Sequence, residues 1–292
     1  MIDASCSGLR LLVALAVVLF PFGLATAEPA VWAVTGKHNT VYLFGSVHLL
    51  PEGGFAIAGE LERAYRDSDR VCFEVDIGAL TPATTLSVTL ARAVDPEGRG
   101  LYELLGPSAA RVREAADTAG IDLSQFAPFE PWFAGISVSV LALQQRGFVA
   151  DHGVEQIIHE AADRDGKPGC GLETLDEQLA LLDGLAADEQ QELLLQSLEE
   201  AQDIETETKQ LFEAWRDGDD EPLARQFKDD FADYPELAER LIFARNARWA
   251  DQVVALLKQP DDVLVVVGAL HLVGDRGLPA LLEGRGLQVD RR

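Results

Sequence analysis

A strand-like run ending in Gly-x-x-His occurs twice, and this pair constrains the fold more than any other feature. The first is Val41-Tyr42-Leu43-Phe44 followed by Gly45-Ser46-Val47-His48. The second is Val263-Leu264-Val265-Val266-Val267 followed by Gly268-Ala269-Leu270-His271. Five consecutive apolar residues, mostly β-branched, suit a strand covered on both faces, as in a parallel sheet between helices. Glycine lets the backbone turn sharply on leaving the strand, so that the histidine faces back across the strand ends. Open α/β sheets carry their reactive groups at that carboxyl end. The expectation is an α/β domain with a largely parallel central sheet and flanking helices, built to bring His48 and His271 together.

The intervening sequence supports that architecture. Val31-Trp32-Ala33-Val34 and Val41-Tyr42-Leu43-Phe44 flank a Gly-containing turn and read as a hairpin. A helix is expected over 56–67, then the strand Val71-Cys72-Phe73-Glu74-Val75-Asp76, which completes a strand–helix–strand unit. Residues 81–146 are mainly helical, and the segment 131–145 is apolar all round, as a buried helix would be. A helix over 153–163 follows. A short glycine-punctuated strand then ends at Glu173, where Thr174 caps the next helix. Residues 185–232 form a long acidic helical stretch, and Pro235 opens the strongest helix of the chain. The helical part over about 175–258 reads as a lid or subdomain on the α/β domain of 28–292.

Residues 1–27 are set apart. Arg10 precedes the apolar run from Leu11 to Leu24, and Ala25-Thr26-Ala27 is an A-x-A cleavage signal, so this stretch reads as a secretory leader. The run is short for a membrane span and is broken by Pro21 and Gly23. An exported chain in the periplasm or outside the cell follows, with no stable membrane insertion after cleavage. The net charge of −25 argues against nucleic acid as a partner. Cys72 and Cys170 are open to two readings, a disulfide in an oxidising compartment or two buried thiols.

Several side chains then compete for chemical roles. Glu74 lies deep in an apolar strand, where an unpaired carboxylate is costly, so it is a candidate site residue. Glu173 ends the later strand and is either a site carboxylate or part of a cap. Arg245 and Asn246 lie on or beside the apolar stripe of their helix and need partners there. Those partners are a substrate oxyanion, a site carboxylate or a neighbouring helix. Glu155 and His159 share a helix face but lack the HExxH frame, and read as a surface pair. Two imidazoles with one or two glutamates and an open position suit a divalent ion that activates water.

The ordered set Gly45-Ser46-Val47-His48, Phe73-Glu74, Gly171-Leu172-Glu173-Thr174 with Gln178, Arg245-Asn246 with Trp249-Ala250, and Val267 to Gly274 resembles the TraB/PrgY/GumN family, related to the Tiki proteases. The likeness is strongest to its GumN-like bacterial branch. It implies a fold akin to that of erythromycin esterase and ChaN, and a metal-dependent peptidase activity on a peptide or small-molecule substrate. It implies His48, His271 and Glu74 as ligands of manganese, cobalt or zinc, with Glu173 and Arg245 in supporting catalytic positions. The helix start that commonly carries Gly-x-Asp reads Gly153-Val154-Glu155 here, so no role is carried to Glu155. Two other functions compete: a metal-free esterase-like hydrolase, and a non-catalytic binding protein for an exopolysaccharide, haem or a peptide signal.

Overall fold

A computed structural model describes residues 28–201, 204–232 and 234–292. The leader expected over 1–27 lies outside them. The hairpin forms as expected, from β1 (Val31–Thr35) and β2 (Thr40–Ser46), and α1 (Gly59–Asp67) leads into β3 (Arg70–Val75). A helical excursion follows: α2 (Pro82–Ala93), α3 (Leu101–Leu105), α4 (Ala109–Ala119) and α5 (Pro131–Gln144). Next, α6 (Val154–Asp165) returns the chain to β4 (Gly169–Glu173). A second excursion comprises α7 (Leu175–Asp183), α8 (Ala187–Glu200), α9 (Ile204–Arg216), α10 (Asp220–Asp230) and α11 (Pro235–Ala238). A π-helical turn, Glu239–Phe243, joins α11 to α12 (Ala244–Leu256). The chain closes with β5 (Val263–Gly268), α13 (Leu278–Gly284) and β6 (Gln288–Arg291).

The strands make one mixed, mostly parallel sheet in the order β4-β3-β5-β2-β1-β6. The late strand β5 inserts between β2 and β3 and is parallel to both. Its insertion brings the two Gly-x-x-His segments side by side: Gly45 pairs with Val267 and Ser46 with Gly268. β4 lies parallel to β3 at the sheet edge, so Glu74 and Glu173 leave the sheet at the same end. β5 is buried throughout except at Gly268, as its unbroken valine run requires.

Each sheet face carries its own apolar layer. One joins Phe44, Phe73 and Val266 to α1, α6 and Trp215. The other joins Leu43, Val265 and Val267 to Trp249 and Val253 of α12 and to Leu278 of α13. A third cluster lies among helices alone, with Leu101, Leu105, Val138, Leu194 and Leu198. The segment 131–144 is the buried helix its composition demands, packed mainly against α8. Cys72 and Cys170 are register partners on β3 and β4 and form a disulfide. Among the described residues, no helix is long and apolar enough to cross a membrane.

Candidate functional site

Four adjacent strand ends, those of β4, β3, β5 and β2, deliver Glu173, Glu74, Gly268 with His271, and Ser46 with His48 to one edge of the sheet. Gly45 is required there. A Cβ at that position would come within 3.0 Å of Ala269 Cα, so the two turns approach as closely as backbone allows.

The inner half of the site is a buried ion network centred on Arg245. Its Nη2 donates to Glu74 Oε2 at 2.5 Å and to Glu173 Oε1 at 2.7 Å. Its Nε donates to the Glu173 carboxylate at 3.1 Å, and its Nη1 to Leu241 O at 2.9 Å and His271 Nε2 at 3.0 Å. Every N–H of the guanidinium therefore ends on protein. Leu241 belongs to the π-helical turn, a feature often found at functional sites. The arginine thus holds Glu74, Glu173 and His271 in place, and no donor is left to steady a substrate anion. Glu74 is held further by Gly268 N at 2.7 Å and Gln178 Nε2 at 2.9 Å. Glu173 is held by Arg248 Nη2 at 3.2 Å.

Asn246 determines the state of His271. Its Nδ2 donates to His271 O at 3.2 Å and Arg276 O at 2.9 Å, so its Oδ1, 2.6 Å from His271 Nδ1, must accept. His271 is therefore protonated on Nδ1 and presents the lone pair of Nε2 to Arg245. Burial, aided by the positive charges of Arg245 and His48 and opposed by Glu74, lowers its pKa to about 3. The 3.7 Å approach of Nε2 to Glu74 Oε1 is thus the contact of a neutral ring with a carboxylate, not an ion pair. Burial alone would raise the Glu74 pKa. The net shift is downward: the largest lowering contribution is that of a charged His271, which the neutral ring does not supply, and Arg245, the Gly268 N–H and His48 lower it as well. With His271 neutral, Arg245 is the standing counter-charge.

The outer half is a His48–Glu155 pair. His48 Nδ1 lies 2.6 Å from Glu155 Oε1, and Ser46 Oγ donates to the same oxygen at 2.5 Å. The His48 side chain is 67% exposed and faces solvent. The charge of Glu155 raises its pKa to about 9 against the opposing effect of desolvation. Glu155 itself is shifted down: desolvation pushes it up, and the His48 charge and the bonds from His48 and Ser46 outweigh that. The two halves adjoin: Ser46, which bonds Glu155, is the register partner of Gly268, which bonds Glu74.

The structure brings His48, His271, Glu74, Glu173 and Arg245 together at one end of the sheet, and adds Glu155, to which sequence reasoning assigned no site role. Glu155 does not pair with His159 on a surface. His159 turns to Phe73, edge on at 6.1 Å. Glu155 reaches His48 because Val154 N bonds Val47 O at 3.1 Å, docking the start of α6 beside the His48 turn. The glycine before that helix start was the available signal.

For a divalent ion, the donor set fits poorly as arranged. Among the described residues, no group of three or more His, Cys, Asp and Glu side chains stands at metal-binding spacing. The His271 lone pair and one Glu74 oxygen are taken by the guanidinium, and His48 Nδ1 by Glu155. A second cation would have to displace Arg245.

The chain is similar to YbaP of Escherichia coli (strain K12). The two are 24% identical over 257 residues, which span 87% of this chain and 92% of YbaP. YbaP of Shigella flexneri matches with the same identity and coverage. No solved structure matches the chain significantly. The model of the TraB/PrgY/gumN family matches residues 30–291, from the first strand of the sheet to the last. The chain belongs to the TraB/PrgY/gumN family.

Proposed function

We propose that this chain is an exported hydrolase that cleaves an acyl bond of a peptide or small-molecule substrate, with the neutral form of His48, the minor one below its pKa of about 9, taking the proton of the attacking water, so that turnover rises as pH approaches 9. One observation carries the reading. Of the two Gly-x-x-His imidazoles in the site, His48 is solvent-facing and backed by a carboxylate, while His271 is buried, neutral and engaged. Glu155 holds the His48 ring by Nδ1 and leaves Nε2 to meet water or substrate. It also stabilises the imidazolium formed when a proton is taken. Ser46 steadies Glu155. Arg245, Glu173, His271 and Asn246 act as positioning residues that fix Glu74 at the inner wall. The periplasm or the medium is the compartment this reading assigns, from the leader over 1–27.

A second reading keeps the divalent ion, manganese, cobalt or zinc, on His48, His271 and Glu74. The observation in its favour is charge. Three carboxylates (Glu74, Glu155 and Glu173) face one buried guanidinium, and the balance rests on Arg248 and a proton on His48. Such an ion would supply a Lewis acid and an acidified water. The guanidinium stands at the donors it would need, so no step is derived through it.

The test is a hydrolysis screen of purified chain 28–292. Its substrates are a quenched-fluorescence peptide library and p-nitrophenyl acetate, read after EDTA treatment and after adding back each metal, beside elemental analysis. Turnover surviving EDTA is the expected result. Turnover only with an added ion favours the second reading. No turnover under any condition overturns both and leaves a binding protein for an exopolysaccharide, haem or a peptide signal.

A further inference from the structure

Trp215 of α9 lies far from both Gly-x-x-His segments in sequence, and the chemistry described above does not use it. It is nevertheless buried against the first of them. Its indole Nε1 donates to the carbonyl oxygen of Gly45 at 2.7 Å. That carbonyl needs a partner. β1 begins at Val31, opposite Phe44, so beyond Phe44 the strand β2 has β5 on one side and no strand on the other. A buried backbone carbonyl without a ladder partner is costly, and the indole N–H supplies the bond.

The ring of Trp215 does a second thing. Phe44, just before the turn, lies 6.3 Å from it, and Phe55, in the segment after His48, lies 5.7 Å from it. Phe44 and Phe55 are themselves 6.1 Å apart, and Phe212 stacks on the outer side of the indole at 5.7 Å. One side chain therefore grips the chain on both sides of His48, by a hydrogen bond before it and an aromatic contact after it. Aromatic pairs of this geometry contribute beyond their buried area.

We propose that Trp215 is a positioning residue for His48, clamping the residue 45–55 segment so that the His48 ring meets Glu155. The proposal rests on the reading of His48 as the substrate-facing group. It assigns to α9 the task of holding the first Gly-x-x-His turn, and makes the α9–α10 hairpin part of the machinery rather than a solvated cover.

The test compares Trp215→Phe with Trp132→Phe. Trp132 is equally buried, but its indole nitrogen has no hydrogen-bond partner among the described residues, so its replacement removes ring volume without removing a hydrogen bond seen there. Two signals are read in the intact chain: hydrogen exchange of residues 45–55 by mass spectrometry, and the Nδ1 proton of His48 in 15N-histidine-labelled protein. Trp215→Phe is expected to speed exchange in that segment about tenfold or more and to broaden or abolish the His48 Nδ1 signal. Trp132→Phe is expected to change neither. No change in Trp215→Phe, or equal changes in both variants, overturns the proposal. Should Trp215→Phe fail to fold, the wild-type protein decides. The Trp215 indole proton should exchange within a few-fold of the Leu50 amide, which bonds Val149 O at 3.3 Å. Indole exchange faster by orders of magnitude overturns it. His48→Ala should leave exchange in the segment unchanged whether or not it abolishes turnover, so failure of the clamp and failure of the hydrolase reading are separable.

Discussion

Glu155 Oε1 lies 2.6 Å from His48 Nδ1, joining the start of α6 to the turn that follows β2. This contact sets the proton affinity of the most exposed group in the site. The His48 pKa stands at about 9, above the ordinary value of 6.5. Replacing Glu155 by Gln should bring it down toward 6.5 in an NMR titration. A His48 resonance still titrating near 9 in Glu155→Gln would contradict the pairing.

The sign of the linked stability change follows. The folded state holds this proton more tightly than the unfolded chain, so the contribution is fully present below about pH 6.5. It is lost as pH rises through about 9. Urea unfolding of wild type at pH 6 and pH 9.5 should therefore show a decline that Glu155→Gln lacks. Identical pH profiles for the two proteins would remove the ion pair from the account. His271 works in the other direction: its lowered pKa makes the fold pay for protonation as pH falls below about 6.5 toward 3.

Arg245→Met should be costly. It leaves Glu74 and Glu173 buried without their guanidinium, a loss expected at about 3–5 kcal/mol. Adding Glu74→Gln and Glu173→Gln to Arg245→Met should recover much of that loss, since neutral amides need no counter-ion. Denaturant midpoints measure both steps. A triple variant no more stable than the single one would show that the arginine contributes by packing on Trp249 instead.

Asn246→Leu should release the His271 tautomer. With Oδ1 gone, Nδ1 loses its acceptor, and two backbone carbonyls lose a donor, at a cost of about 1–3 kcal/mol. The imidazole 15N shifts report the tautomer directly: wild type should be protonated on Nδ1, the variant mixed. An unchanged spectrum would mean that another group orients the ring.

The sheet and most of the site were legible because their signals are local. A valine run ending in Gly-x-x-His identifies a buried parallel strand and the residue it presents. Glu74 and Glu173 were visible as carboxylates where an apolar strand ends. What was not legible depended on where helices dock. Glu155 looked like half of a surface pair, because nothing within α6 says that its first turn meets Val47 O. Arg245 looked available to a substrate, because only the folded network shows all of its donors spent. The state of Cys72 and Cys170 was open until β4 was seen to lie beside β3 with the two cysteines in register.

That disulfide closes a separation of 98 residues and ties the edge strand β4 to β3, just upstream of Glu173 and Glu74. The double variant Cys72→Ala/Cys170→Ala should lose about 2–5 kcal/mol of stability in urea. Wild type in dithiothreitol should move toward it. A reduced protein as stable as the oxidised one would show that the ladder and the bonds from Arg245, Arg248 and Gln252 suffice to hold β4.

The account stands or falls on His48. The most direct measurement is turnover of the best substrate from the hydrolysis screen by wild type, His48→Ala and His38→Ala, the last a turn histidine remote from the site. The predicted result is a loss of roughly a hundredfold or more in kcat for His48→Ala in protein that still folds, and wild-type turnover for His38→Ala. A folded His48→Ala protein that turns over as fast as wild type would contradict the central claim.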